Sequence, residues 1–153
     1  MNSLDDFDIK ILNALQQDAR ISNVKLAKQL SISEAPCWRR LQRLKKNGVI
    51  EGYQAVLNRR KLGFGVMSFI QLKFVQHDEE LTRLFENAIN DWPEVMACHS
   101  ISGAADFLLI VVARNLDEYV EFIDRKLRKI PGITDITSNI SLRELKSSFK
   151  LPL

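Results

Sequence analysis

The stretch PCWRRLQRLKKNG, residues 36–48, carries Arg39, Arg40, Arg43, Lys45 and Lys46 with no acid among them. Cations gathered this way on a helix have the chemistry of polyanion recognition: release of counterions from phosphates, and forked donation to guanine O6 and N7. At 100° per residue Cys37, Leu41 and Leu44 fall within one narrow arc, and Ala35, Pro36, Arg39, Gln42, Arg43 and Lys46 lie opposite it. The apolar arc must seat the helix, which leaves the basic arc outward. A helix laid in the major groove brings its first turns nearest the base edges. Arg39 is therefore the candidate for base reading, a contact worth about 1–3 kcal/mol of discrimination, while Arg43 and Lys46 are placed to hold the backbone. Arg40, on the flank, either grips a phosphate or pairs within the domain, with the phosphate favoured. Trp38 either packs on the supporting helix or meets a thymine methyl, with packing preferred. Ser33, Pro36 and Gln42 complete the surface expected to face DNA.

Such a helix needs a frame. Residues 5–17 place Ile11, Leu12 and Leu15 at helical spacing behind a possible N-cap, Asp5. Ser22 caps a second helix, NVKLAKQL, and only SIS separates it from the basic one. Ser33 is positioned to cap that third helix, Pro36 is tolerated in its first turn, and Gly48 stops it. Two short helices joined by a tight turn, the second basic and the pair preceded by a support helix, outline a helix-turn-helix. VIEGYQAVL, 49–57, reads as a wing hairpin turning at Gly52. Residues 1–58 thus form a winged helix-turn-helix, and RRKLGFG, 59–65, a linker.

The remainder, 66–153, reads strand (66–75), helix (77–90), strand (94–102), strand (106–114), helix (116–130) and strand (133–142). The βαββαβ order is ferredoxin-like, which makes the chain α+β overall. In that fold helices cover one face of the sheet, so a central strand should alternate. FLLIVVA, 107–113, is apolar on both faces. A second copy of the sheet is the simplest cover for the other face, and a homodimer through this half is expected; the alternative is a monomer with an unusually apolar sheet.

Charge divides along the same boundary. Residues 1–64 hold twelve Lys/Arg against six Asp/Glu, net +6, and residues 65–153 hold ten against thirteen, net −3. Double-stranded DNA is the expected partner. RNA is the second choice, because βαββαβ is also the order of an RNA-recognition module, but such modules stack bases on central-strand aromatics, and here those strands offer little besides Phe69 and Phe107. No apolar run approaches the ~20 residues of a membrane helix, and the N-terminus lacks a signal pattern. The lone thiols Cys37 and Cys98 fit a reducing cytoplasm. Cys98-His99, with Cys37 and His77 remote, has no zinc-site spacing. Paired carboxylates, a nucleophile elbow and a phosphate loop are all missing, so neither an enzyme nor a bound metal or cofactor is expected.

Taken together these residues resemble the bacterial and archaeal Lrp/AsnC regulators, the leucine-responsive and asparagine-responsive "feast or famine" proteins. The likeness rests on Leu4-Asp5-x-x-Asp8-x-x-Ile11-Leu12-x-x-Leu15 with Asp18-x-Arg20; on Ser33-x-x-x-Cys37-x-x-Arg40-Leu41-x-x-Leu44 with Gly48-Val49-Ile50; and on Ser102-Gly103-x-x-Asp106-Phe107-Leu108-Leu109, Pro131-Gly132-Ile133 and Glu144-Leu145-Lys146. The resemblance implies a DNA-binding transcription factor whose second domain dimerises, assembles dimers into octamers and binds an amino-acid effector near the Gly103 hairpin. On that reading Ser102, Gly103, Ala104, Asp106, Thr137 and Ser138 are the effector-site candidates: an α-amino acid needs acceptors for its ammonium and donors for its carboxylate. Two departures stand out. Ala104 and Ala105 replace an acid and an aromatic common in the family, and Lys45 replaces a Glu. The alternative function is a ligand-independent architectural DNA-binding protein of the same fold.

Overall fold

Asp8, Ile11, Leu12 and Leu15 recur at i, i+3, i+4 and i+7, and this stripe is what α1 (Asp6–Gln17) buries. Asp5 caps it in a reciprocal box: Asp8 N donates to Asp5 Oδ1 at 2.9 Å and Asp5 N to Asp8 Oδ2 at 3.2 Å. The computed structural model describes residues 4–75 and 79–153. His77 and Asp78, with which the fourth helix is expected to begin, lie outside them.

Helix α2 (Asn23–Gln29) is capped by the Ser22 side chain, and α3 (Glu34–Lys46) ends where Gly48, at φ 71°, takes the left-handed conformation. Ile11, Leu26, Cys37 and Leu44 meet in one core, with Leu41 and Ile50 packed against it. Each large apolar side chain buried there contributes about 1.5–3 kcal/mol. The wing is different from expectation. Residues 51–58 form no strand and are exposed, and Gly52 takes no positive φ. A lone two-stranded ribbon has no second layer to bury its apolar face, so β-propensity alone does not hold one together.

The second unit is a four-stranded antiparallel sheet in the order β2-β3-β1-β4, from β1 (Val66–Phe74), β2 (Val95–Ser100), β3 (Phe107–Ala113) and β4 (Ile133–Ile140). Between them run α4 (Glu79–Asn90) and α5 (Leu116–Arg125), the latter followed by a 3-10 turn at Leu127–Lys129. This is the expected split βαβ arrangement with shorter strands, and Leu84 of α4 is half exposed. One face of the sheet is covered: Val66, Ile70, Leu72, Phe107, Leu109 and Val111 pack with Phe85 and Phe122 from the helices. Phe74, Phe85 and Phe107 form an aromatic cluster with ring centroids 4.9–5.5 Å apart. The opposite face carries Met67, Phe69, Leu108 and Ile110, with Phe69 paired to Ile110 and Met67 to Val112.

Two compact units divide the chain, 57–146 and 1–56 together with Ser147–Leu153. The last segment thus returns to the first unit, where the Gln16 amide takes both polar groups of Leu151, accepting from its N at 2.6 Å and donating to its O at 3.1 Å.

Candidate functional site

Ser31 makes the turn between α2 and α3 with φ 55°, a left-handed conformation unusual for a residue with a side chain. That turn lets α3 cross α2, and Asn23 Nδ2 ties the start of one to the other through Glu34 O at 3.0 Å. Ser33 stands at the N-cap, but its hydroxyl makes no cap bond. Pro36 is the third helical residue, where no intrahelical amide bond is lost.

Cys37 and Leu44 are fully buried and Leu41 partly so, as the arc predicts. Burial pushes the Cys37 thiol above its ordinary pKa. Arg39, Gln42, Arg43 and Lys46 are exposed, and Pro36 is half-buried at the edge of the same surface. Trp38 is 54% exposed, so packing covers less than half of it and the rest is open to solvent. Lys45 is drawn back, its Nζ 5.0 Å from the centroid of the Tyr53 ring in the segment where a wing was expected.

Arg40 takes the other of its two expected roles here and pairs within the domain. Its Nη1 bonds Asp5 Oδ2 at 2.5 Å and Asp8 Oδ1 at 3.0 Å, and its guanidinium lies 5.5 Å from the centroid of the Phe7 ring. That guanidinium holds the Asp5 carboxyl below the usual aspartate range, and both acids raise the Arg40 pKa in return. Arg43 is shared: Nη2 meets Asp8 Oδ2 at 2.5 Å, yet the side chain keeps 44% of its surface in solvent. Asp8 is the residue sequence reasoning missed. Its signal is an acid standing in line with the apolar stripe of α1.

The hairpin between β2 and β3 presents Ser102, Gly103 and Ala104 in solvent, and Gly103 sits at φ 133°, which a side chain would strain. Asp106 closes it: its N donates to Leu72 O at 2.9 Å, and its Oδ2 accepts Phe74 N at 2.8 Å. Thr137 pairs with Gln71 on the uncovered face, whereas Ser138 pairs with Ile70 on the covered one. There the Tyr119 hydroxyl donates to Ser138 Oγ at 2.7 Å and lies 3.0 Å from Ser68 Oγ. Alternation along β4 therefore separates the two candidates, and Ser138 does not join Thr137 in one site.

These geometries agree with known proteins. The Lrp/AsnC ligand binding domain matches residues 67–151 and a winged helix-turn-helix DNA-binding domain matches residues 4–51. The chain belongs to the Lrp/AsnC family of transcriptional regulators. Among its Lrp/AsnC relatives, the DNA-binding transcriptional activator DecR of Escherichia coli K12 is 33% identical, over 98% of this chain and 99% of its own. The leucine-responsive regulatory protein of Haemophilus influenzae is 35% identical, over 95% and 88%. A transcriptional regulator of Neisseria meningitidis solved with L-Met superposes with a TM-score of 0.93 at 31% identity, covering 98% of this chain and 97% of that one. An AsnC family regulator from Agrobacterium tumefaciens gives 0.91 at 34%, covering 97% of both. The architecture is thus that of a DNA-binding transcriptional regulator, and no helix among the described residues is long and apolar enough to cross a membrane.

Proposed function

We propose that the chain regulates transcription by setting α3 in the major groove of double-stranded DNA as a homodimer, in response to a small amino acid. The observation that carries the DNA half is the outward row of Trp38, Arg39, Gln42, Arg43 and Lys46 on a helix whose reverse side, Cys37 and Leu44, is fully buried. Arg39, without an acid partner among the described residues, reads bases; Lys46 and the free side of Arg43 hold phosphates. Ser33 and Pro36 lie at the groove-facing end. The apolar sheet face around Phe69 and Ile110 supports pairing of two copies, which would set two reading helices at a fixed spacing and could assemble further into octamers.

For the effector, Ser102, Gly103, Ala104, Asp106 and Thr137 remain the proposed contacts, with exposed hairpin amides for a carboxylate. A relative solved with L-Met makes an apolar amino acid the first ligand to try. Engagement of one Asp106 oxygen with Phe74 N favours a second reading, a regulator blind to amino acids that compacts DNA, since it gives that carboxylate a structural use. A thermal-shift screen against the twenty amino acids separates the two, because a ligand confined to the native state raises the melting temperature by mass action. A shift with one or a few amino acids supports effector response; no shift and unchanged light scattering support the compactor. Duplex affinity indifferent to salt would refute DNA binding itself.

A further inference from the structure

Two arginines of the reading helix converge on one carboxylate that never sees solvent. Asp8 is 0% exposed and receives Arg40 on Oδ1 and Arg43 on Oδ2, while Asp5, from the same turn of α1, takes Arg40 a second time. A buried carboxylate is tolerated only when paired, so both arginines are bound to their places by the cost of leaving Asp8 alone. A phosphate asks of a guanidinium what a carboxylate asks, a forked pair of N–H donors. Asp5 and Asp8 thus stand behind α3 as internal competitors for donors that DNA would otherwise take.

We propose that the Asp5–Asp8 pair is a specificity determinant of DNA recognition. It withholds Arg40 from the phosphates and fixes the outward edge of Arg43, which lowers sequence-blind affinity and leaves discrimination to the exposed Arg39 and Gln42. Sequence-blind binding scales with the number of phosphates neutralised, each adding about 0.9 to the slope of log affinity against log salt. Arg40, held by both acids, is subtracted from that number and Arg43 is left only its free side, while the helix remains basic enough to find DNA. A scaffold role alone, in which the acids merely pack α1 on α3, makes the opposite prediction for charge removal: fewer folded molecules, weaker binding to every sequence, and no steeper salt slope.

The inference rests on the DNA-reading role of α3, and one titration series tests both. Asp8→Asn keeps the shape and one acceptor but removes the charge; Asp5→Asn does the same at an exposed position and retains a good N-cap. Each is measured from low to moderate salt on two duplexes, the best binder selected from a randomised pool and its scrambled counterpart. The expected result is a slope steeper by up to about 0.9 for each variant, because Arg40 keeps the other acid in both, with tighter binding to the scrambled duplex and a several-fold lower ratio between the duplexes. Adding Arg43→Gln to Asp8→Asn returns about one step of slope. If Asp8→Asn does not fold, as judged by circular dichroism, Asp5→Asn carries the test alone. Folded variants with wild-type slopes overturn this inference only. A wild-type chain that binds neither duplex overturns the DNA-reading role with it.

Discussion

The carboxylate of Asp106 accepts the backbone amide of Phe74 at 2.8 Å, which fastens the β2–β3 hairpin to the end of β1 where its register with β4 shifts. A bulge leaves an amide without a ladder partner, and this side chain supplies one. Asp106→Ala should cost about 1 kcal/mol in thermal or urea unfolding, the usual worth of such a bond, and Asp106→Asn should restore most of it. If a thermal shift with an amino acid is found, the Asn variant decides whether the charge is also needed: stability recovered with the shift lost assigns the carboxylate to the ligand's ammonium.

Ser31 supplies the turn that a glycine would make without strain. Left-handed backbone costs a non-glycine residue roughly 1–2 kcal/mol, partly offset in a glycine variant by its looser unfolded chain. Ser31→Gly should therefore raise stability by up to about 1 kcal/mol, and Ser31→Val, β-branched, should lower it by at least about 1 kcal/mol. Equal melting temperatures for the three proteins would mean that the turn relaxes.

Acid should loosen the first unit through Asp5. Its pKa in the folded chain lies below the ordinary 3.8 because the Arg40 guanidinium bonds the carboxylate and the Asp8 amide adds to it. The contribution to stability is complete above 3.8 and disappears as pH falls through the depressed value, since the unfolded chain takes up the proton first. Urea midpoints between pH 6 and pH 2 should fall more steeply for the wild type than for Asp5→Asn; parallel curves would deny the pairing.

Where the sequence was readable, a period made it so. The apolar arc Cys37–Leu41–Leu44 set the inward side of α3, because that signal is local and geometric. Destinations that depend on a distant partner were not readable. Arg40 meets acids 32 and 35 positions away, and nothing in its own helix distinguishes that from a phosphate contact. Thr137 and Ser138, by contrast, were separable from the sequence, since consecutive residues of a strand face opposite ways and the pairing of β4 bears that out. The hairpin is missing for a related reason: residues 51–57 have β-prone side chains but no layer to bury them.

Cys98 should be a poor nucleophile. It packs on the covered face opposite Leu109, and burial, with the nearby Glu86 charge adding, pushes its thiol up to about 11. The folded chain therefore favours the neutral thiol, a preference that supports stability in full below the ordinary 9.0 and is lost as pH rises toward 11. Alkylation of the native protein at pH 8 should be slow and should climb only in strong base; rapid labelling of Cys98 at pH 8 would contradict its packing.

Phe69 decides whether the uncovered sheet face is an interface. It is 37% exposed in the single chain, beside Ile110 on the neighbouring strand, in an apolar row with Met67 and Val112. A stable pair would bury about 1,600 Å² in total, and a lysine at its centre would be stranded without a partner charge. Phe69→Lys leaves the covered core, on the other side of the sheet, untouched, so the variant should keep its circular dichroism. Its mass by light scattering should fall to that of one chain, and its melting temperature should lose dependence on protein concentration, which the wild type should show. Affinity for a duplex with two half-sites one helical turn apart should then drop to that for a single half-site, because two reading helices are no longer held at the spacing of the groove. A Phe69→Lys chain of unchanged mass would move the interface elsewhere on the molecule.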